Sequence, residues 1–203
     1  MALMADPTLV LAHGAGAGSA HPWMSHVASA LESRGVRVVR FDFPYMFSGR
    51  RLPDKGPVLE AAFAEQWAQV AATTTGPMYA GGKSMGGRIA SQVAAKGGFD
   101  PIPTGLIFFG YPLHPPGKPE QRRDRHLPLI GVPMLFLHGT RDPFGTREEM
   151  RDLIDELPTS TLSLVERGDH SLVATRNKPV SGLVIDAVRD WMDVNSVADD
   201  RRL

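Results

Sequence analysis

The chain has 203 residues, no cysteine, and 22 Lys plus Arg against 22 Asp plus Glu, so its formal net charge is zero. This excludes disulfides, a thiol nucleophile and Cys-ligated zinc or iron–sulfur centres. It also leaves no charge excess that would draw the protein to nucleic acid or to an anionic membrane.

A chain of this length buries roughly 70% of the surface that its unfolded form exposes, so a single domain over 1–203 folds without a metal or disulfide staple. Met1–Pro7 has no basic segment leading into a long apolar run, and no stretch of about 18 apolar residues follows. The expectation is a cytoplasmic protein without a membrane span. Nothing in the sequence sets its oligomeric state.

Strand-length apolar runs alternate with helix-length amphipathic ones. Leu9–Ala12 reads as the first strand, and a helix is expected after Pro22. Val36–Phe41 is a second strand, placed near an edge because it carries Arg37 and Arg40. After the connection Phe43–Pro57, the residues Leu59, Phe63, Trp67 and Val70 form a helical stripe.

Met78–Gly81 is a third strand, followed by a helix after Ser84 with Ile89, Ala90 and Val93 on one side. Leu106–Phe109 is the fourth strand. It leads into a proline-rich connection, Tyr111–Gly131, that holds Arg122, Arg123, Arg125 and His126. Met134–Leu137 is the fifth. Thr146 and Glu149 then form a capping box that opens a helix with Met150, Leu153, Ile154 and Leu157 as its stripe.

Leu162–Val165 is the sixth strand. Val180, Leu183, Val184, Ala187, Val188, Trp191 and Met192 make the last stripe, and 196–203 reads as a polar tail. The alternation predicts a three-layer α/β fold: a mostly parallel sheet of about six strands, helices on both faces and no separate lid domain. In such sheets the ligand site lies beyond the carboxyl ends of the strands, so both long connections are expected over the active face.

Gly82-Lys83-Ser84-Met85-Gly86 fits Gly-x-Ser-x-Gly between a strand and a helix, the setting of a nucleophile elbow. Such a turn projects the serine oxygen at the helix N-terminus, where backbone N–H groups stabilise a developing anion. A serine hydroxyl needs a base. In the chain order Ser, acid, His, the candidates are Asp142, just after the fifth strand, and His170, just after the sixth. His170 would take and return the proton. Asp142 would fix the imidazole tautomer, although Asp142-Pro143 also suits a turn.

Asp169 adjoins His170 and is badly placed to align its ring, so a structural part is expected for it. Met85 N–H and Ala15 N–H are the candidate oxyanion-hole donors. Ala15 lies in the small-residue run Gly14-Ala15-Gly16-Ala17-Gly18 after the first strand, where Gly14 and Gly16 are its alternatives. His13 is read as a brace for this loop.

His13-Gly14, Gly82-x-Ser84-x-Gly86, Gly139-Thr140-Arg141-Asp142 and Gly168-Asp169-His170 together resemble the α/β-hydrolase superfamily. Within it, Phe41-Asp42-Phe43-Pro44-Tyr45 and Tyr111-Pro112-Leu113-His114-Pro115-Pro116-Gly117 look like a compact bacterial branch related to dienelactone-hydrolase-like proteins and to a human testis-expressed protein family. The resemblance covers nearly the whole chain and implies the fold and the triad, but no substrate. One departure from larger members is that the oxyanion strand comes almost at once, so the antiparallel strands that usually precede it are expected to be missing or shortened.

The resulting expectation is a serine hydrolase without a cofactor, cleaving an ester or thioester of a small soluble molecule through an acyl-enzyme. The alternative is a non-catalytic binding or scaffold protein on the same fold. Nucleotide binding fails on spacing. A P-loop ending at Gly82-Lys83-Ser84 needs glycine where Pro77 stands, and a dinucleotide fingerprint needs Gly or Ala where Ser19 stands. His13 and His138 have no His-x3-His pair or acidic cluster beside them, so no metal site is expected. Tyr45, Met46, Tyr111 and His114 are the candidate substrate-binding residues. Arg50, Arg51 and Arg122–Arg125 are candidates to meet an anion, against the commoner outcome of a solvated charge run.

Overall fold

The computed structural model describes residues 6–176 and 178–199. Six strands form one sheet: β1 (Thr8–Ala12), β2 (Arg37–Phe41), β3 (Met78–Lys83), β4 (Gly105–Phe109), β5 (Met134–Gly139) and β6 (Ser160–Val165). Their spatial order is β2-β1-β3-β4-β5-β6. Every pairing is parallel, so the sheet expected to be mostly parallel is wholly so among the described residues. β2, with its two arginines, is an edge strand as its composition predicts.

Six helices cover the sheet: α1 (Pro22–Glu32), α2 (Pro44–Phe47), α3 (Gly56–Ala71), α4 (Met85–Ala95), α5 (Arg147–Asp155) and α6 (Gly182–Asp199). No helix among the described residues is long and apolar enough to cross a membrane. Side chains of the central strands alternate between two cores, as a pleated sheet requires. Val10, Phe108 and Phe136 point to the side of α3, α4 and α5. Leu9, Leu11, Ile107 and Leu135 point to the side of α1 and α6.

The stripe on α3 is buried in full: Leu59, Phe63, Trp67 and Val70. The capping box of α5 is present in both halves, with Glu149 N–H donating to Thr146 Oγ1 (3.1 Å) and Thr146 N–H to Glu149 Oε2 (2.8 Å). No lid domain interrupts the described chain.

The last helix departs from expectation twice. Leu183 is 79% exposed while Ile185 is fully buried. The helix starts at Gly182, so its inward stripe runs through Val184, Ile185, Val188, Trp191 and Met192, and Leu183 falls on the outer side. The helix also continues to Asp199, so 196–199 is helical rather than a polar tail. Its polar residues fit the helix by bonding backward: Asn195 Nδ2 donates to Trp191 O (2.8 Å) and Ser196 Oγ to Asp193 O (3.1 Å). Residues 200–203 lie outside the described residues.

Because β1 leads to β2 on one side and β3 lies on the other, the strand order reverses between β1 and β3. The loops leaving these two strands diverge there and open a crevice, where α/β sheets place their ligands. Ala12 and Gly82 are direct neighbours at the carboxyl end of that pair.

Candidate active site

Ser84 joins β3 to α4 with φ 49° and ψ −114°. A non-glycine residue at positive φ is strained, and such strain persists only where its surroundings hold it. Here the N–H of Ser84 donates to Phe109 O on β4 (3.1 Å), and its carbonyl accepts the N–H of Arg88 (3.1 Å). Gly86 makes the turn possible, since a Cβ there would lie 2.5 Å from Ala12 O. Only a residue without a side chain lets the first turn of α4 press onto the end of β1.

His170 and Asp142 arrive from the ends of β6 and β5. His170 Nε2 is 2.8 Å from Ser84 Oγ, and His170 Nδ1 is 2.7 Å from Asp142 Oδ2. The second oxygen of Asp142 accepts the N–H of Phe144 (2.9 Å). The Phe144 ring lies over His170, with centroids 4.2 Å apart.

The His170 loop approaches the strand ends closely. A Cβ on Gly110, itself at φ +70°, would meet His170 O at 2.7 Å. Asp169 is turned away to its own backbone, its Oδ1 accepting N–H groups from Ser171 (2.8 Å) and Val173 (3.1 Å). Trp23 Nε1 donates to Ser171 O (2.9 Å) and holds the far side of this loop.

A cavity of about 560 Å³ opens above the serine. Gly14, Ala15 and Met85 lie on its wall with Ser84 and His170. The N–H of Met85 is in the first turn of α4, where no residue four positions earlier supplies an intrahelical acceptor. His13 braces the opposite loop. Its Nε2 accepts Phe43 N–H (3.1 Å), which puts its proton on Nδ1, facing Gly14 O at 2.8 Å. Burial lowers the pKa of His13 and keeps the ring neutral, as this arrangement needs. Asp42 Oδ1 accepts Ser19 N–H (2.6 Å) and so holds the end of the same loop.

Both long connections reach the cavity, through Pro53 and Asp54 from one and Pro112 and Arg123 from the other. The side chains proposed from them as substrate contacts do not. Tyr45, Tyr111 and His114 are 0%, 1% and 5% exposed and lie behind the wall. Large aromatic rings are more stable packed than lining water. Tyr111 packs against Phe108 and Phe136 and donates its hydroxyl to Arg123 O (2.8 Å). His114 faces Pro115 O with Nδ1 and Glu149 Oε2 with Nε2. Tyr45 stacks edgewise on His13, and Met46 packs against the core.

Apart from the triad, the polar lining comes from Lys83, Arg88 and Arg123, with Asp54, His21 and Ser171. Arg88 was legible in principle, because it follows Ser84 by four residues on a helix and so shares its face. Lys83 Nζ lies 5.2 Å from the Trp23 ring centroid and 3.4 Å from His170 O. Burial lowers its pKa, partly opposed by Asp142 and Asp169. Among the described residues no group of three or more His, Asp or Glu side chains converges to hold a metal ion.

A family model described as an alpha/beta hydrolase domain matches residues 5–190, and the chain belongs to that family. Solved structures agree on the fold. Est1E from Butyrivibrio proteoclasticus, in a structure with ferulic acid bound, superposes with a TM-score of 0.72 at 16% identity, over 95% of this chain and 90% of that one. Dienelactone hydrolase from Anabaena variabilis gives 0.70 at 20% identity, over 93% and 86%. A monoacylglycerol lipase from Paleococcus ferrophilus gives 0.70 at 17%, over 93% and 95%.

Proposed function

We propose that the protein is a serine hydrolase that cleaves an ester or thioester of a small molecule through an acyl-enzyme. The observation that carries this reading is the unbroken hydrogen-bonded series from Ser84 Oγ through His170 to Asp142, at 2.8 and 2.7 Å, beginning at a serine held at positive φ. The named activities of two structural neighbours, a monoacylglycerol lipase and a dienelactone hydrolase, favour an ester bond. A cavity of about 560 Å³ suits a small ligand.

In this mechanism Ser84 Oγ attacks the carbonyl carbon as His170 Nε2 takes its proton. Charge grows on the carbonyl oxygen, where Met85 N–H and Ala15 N–H would donate to it. Asp142 holds the imidazole with Nδ1–H toward its carboxylate and stabilises the imidazolium. His170 then gives the proton to the leaving oxygen or sulfur, which departs as alcohol or thiol. A water attacks the acyl-enzyme by the same route in reverse roles, and the free acid leaves.

Labelling with a fluorophosphonate probe tests the reading. Wild type should label, Ser84→Ala should not, and His170→Ala should label far more slowly. A folded wild-type protein that stays unlabelled would overturn the catalytic reading in favour of a binding protein on a hydrolase fold.

A further inference from the structure

Three cations line the cavity beside Ser84, and their surroundings differ. Lys83 is engaged by the Trp23 ring and His170 O. The guanidinium groups of Arg88 and Arg123 have no such partner. Neither forms a salt bridge, and neither donates a side-chain hydrogen bond to any described residue. Both are only partly exposed.

The fold nonetheless holds them in place. Arg88 sits one turn along α4 from Ser84, and a helical side chain leans toward the N-terminal end, here toward the serine. Arg123 is fixed at its backbone on both sides: its N–H donates to Leu113 O (2.8 Å), and its carbonyl accepts the buried Tyr111 hydroxyl (2.8 Å). The neighbouring Arg122 is paired with Asp124 instead. Asp54, the one carboxylate among the described residues on the cavity wall, pairs through Oδ1 with Arg50 at 2.7 Å, while its buried Oδ2 has no hydrogen-bond partner and reaches neither Arg88 nor Arg123.

The two partly exposed guanidiniums lie on one cavity wall, repel each other, and have no protein acceptor among the described residues. Burial and the charge of Arg88 both push the pKa of Arg123 down. An unmatched pair of planar five-donor groups facing a cavity is matched by an anion that accepts from both.

We propose that Arg88 and Arg123 form an anion subsite of this cavity, and that the substrate is an ester or thioester bearing a carboxylate or phosphate group away from the scissile carbonyl. The inference deepens the ester-hydrolase reading by naming the substrate class, but the subsite itself does not depend on catalysis.

Two measurements test it. The first is titration calorimetry on Ser84→Ala, which needs no turnover, using adipate and inorganic phosphate as probes. Millimolar binding that weakens at raised salt is expected, and at least about tenfold weaker binding when Arg88→Gln or Arg123→Gln is added. The anion that binds more tightly identifies the source chemistry. The second compares kcat/KM for charged and neutral twins: the 4-nitrophenyl monoester of adipate against its methyl ester, and 4-acetoxybenzoate against its methyl ester.

The charged twin should be preferred in at least one pair. That ratio should fall at least about tenfold in Arg88→Gln and in Arg123→Gln, but hold in Arg122→Gln. Circular dichroism confirms that each variant is folded. Absence of binding by both anions, or binding and ratios unmoved by both substitutions, overturns the subsite. If Ser84 proves unreactive, the titration still decides it.

Discussion

At the scale of single residues, Asp142 shows how one side chain serves two demands. The sequence allows it to be a turn residue before Pro143 or the acid behind His170, and the structure puts its two oxygens in reach of both partners. Oδ1 accepts the N–H of Phe144, which fixes the turn, and Oδ2 faces His170 Nδ1. Asp142→Asn keeps the size and the turn but offers His170 an amide that can stabilise the wrong tautomer. We expect kcat to fall about 10³–10⁴-fold while KM changes little, measured on any ester the wild type turns over. A loss under tenfold would mean that Asp142 is there for the turn. The three candidate triad residues were legible because spacing after strands and chain order constrain them. Loop membership puts Tyr45, Tyr111 and His114 near the site but says nothing about which way a side chain faces, and all three turn inward. Tyr111 lies one residue past Gly110, and its ring turns inward to Phe108 and Phe136.

At the scale of elements, the strand–turn–helix unit from Met78 to Ala95 sets the site, and it depends on close backbone approach. β3 and α4 are joined by one strained residue, and α4 then packs against the end of β1 through Gly86. Gly86→Ala would put a methyl group 2.5 Å from Ala12 O and 2.7 Å from His13 O, against backbone with no flexible side chain to yield. Overpacking of this kind costs about 1–3 kcal/mol, and relief would require α4 to shift with Ser84 at its N-terminus. We expect a lower urea midpoint together with slower fluorophosphonate labelling. Labelling at the wild-type rate would show that the elbow tolerates the shift. The elements themselves were legible wherever the apolar period was strong, as in the stripe on α3 and the capping box of α5. They were less so on α6, where Val180 precedes the helix and Leu183 and Ile185 exchange faces. Spacings of three and four start the stripe at Val180, but the helix begins at Gly182 and Trp191 and Met192 pack inward from it.

At the scale of the whole molecule, the strand order that brings Ser84, Asp142 and His170 together also buries histidines that the proposed chemistry does not use. His13 and His138 are both fully buried, each fixed to the backbone of the loop it supports, at Gly14 O and Phe43 N–H for one and at Gly145 O for the other. Burial lowers the pKa of each. The carboxylates nearby, Asp42 at 3.7 Å from His13 and Asp142 at 3.8 Å from His138, oppose this without overcoming it. Both rings therefore stay neutral in the folded protein at a pH where the unfolded chain, near 6.5, already takes up protons. The unfolded state binds more protons below that pH, so stability is complete above about 6.5 and is lost as pH falls toward the depressed folded values. Two such groups give a slope of at most about 3 kcal/mol per pH unit. Glu149, whose carboxyl is held low first by the backbone N–H of Thr146, adds to the same trend below its ordinary value of 4.5. Urea unfolding at pH 8, 6.5 and 5.5 should give similar midpoints at the first two and a clearly lower one at the third. His138→Gln should lower stability throughout but flatten the fall between pH 6.5 and 5.5. A wild-type midpoint that holds steady to pH 5.5 would mean that these rings are protonated as readily inside the protein as out of it.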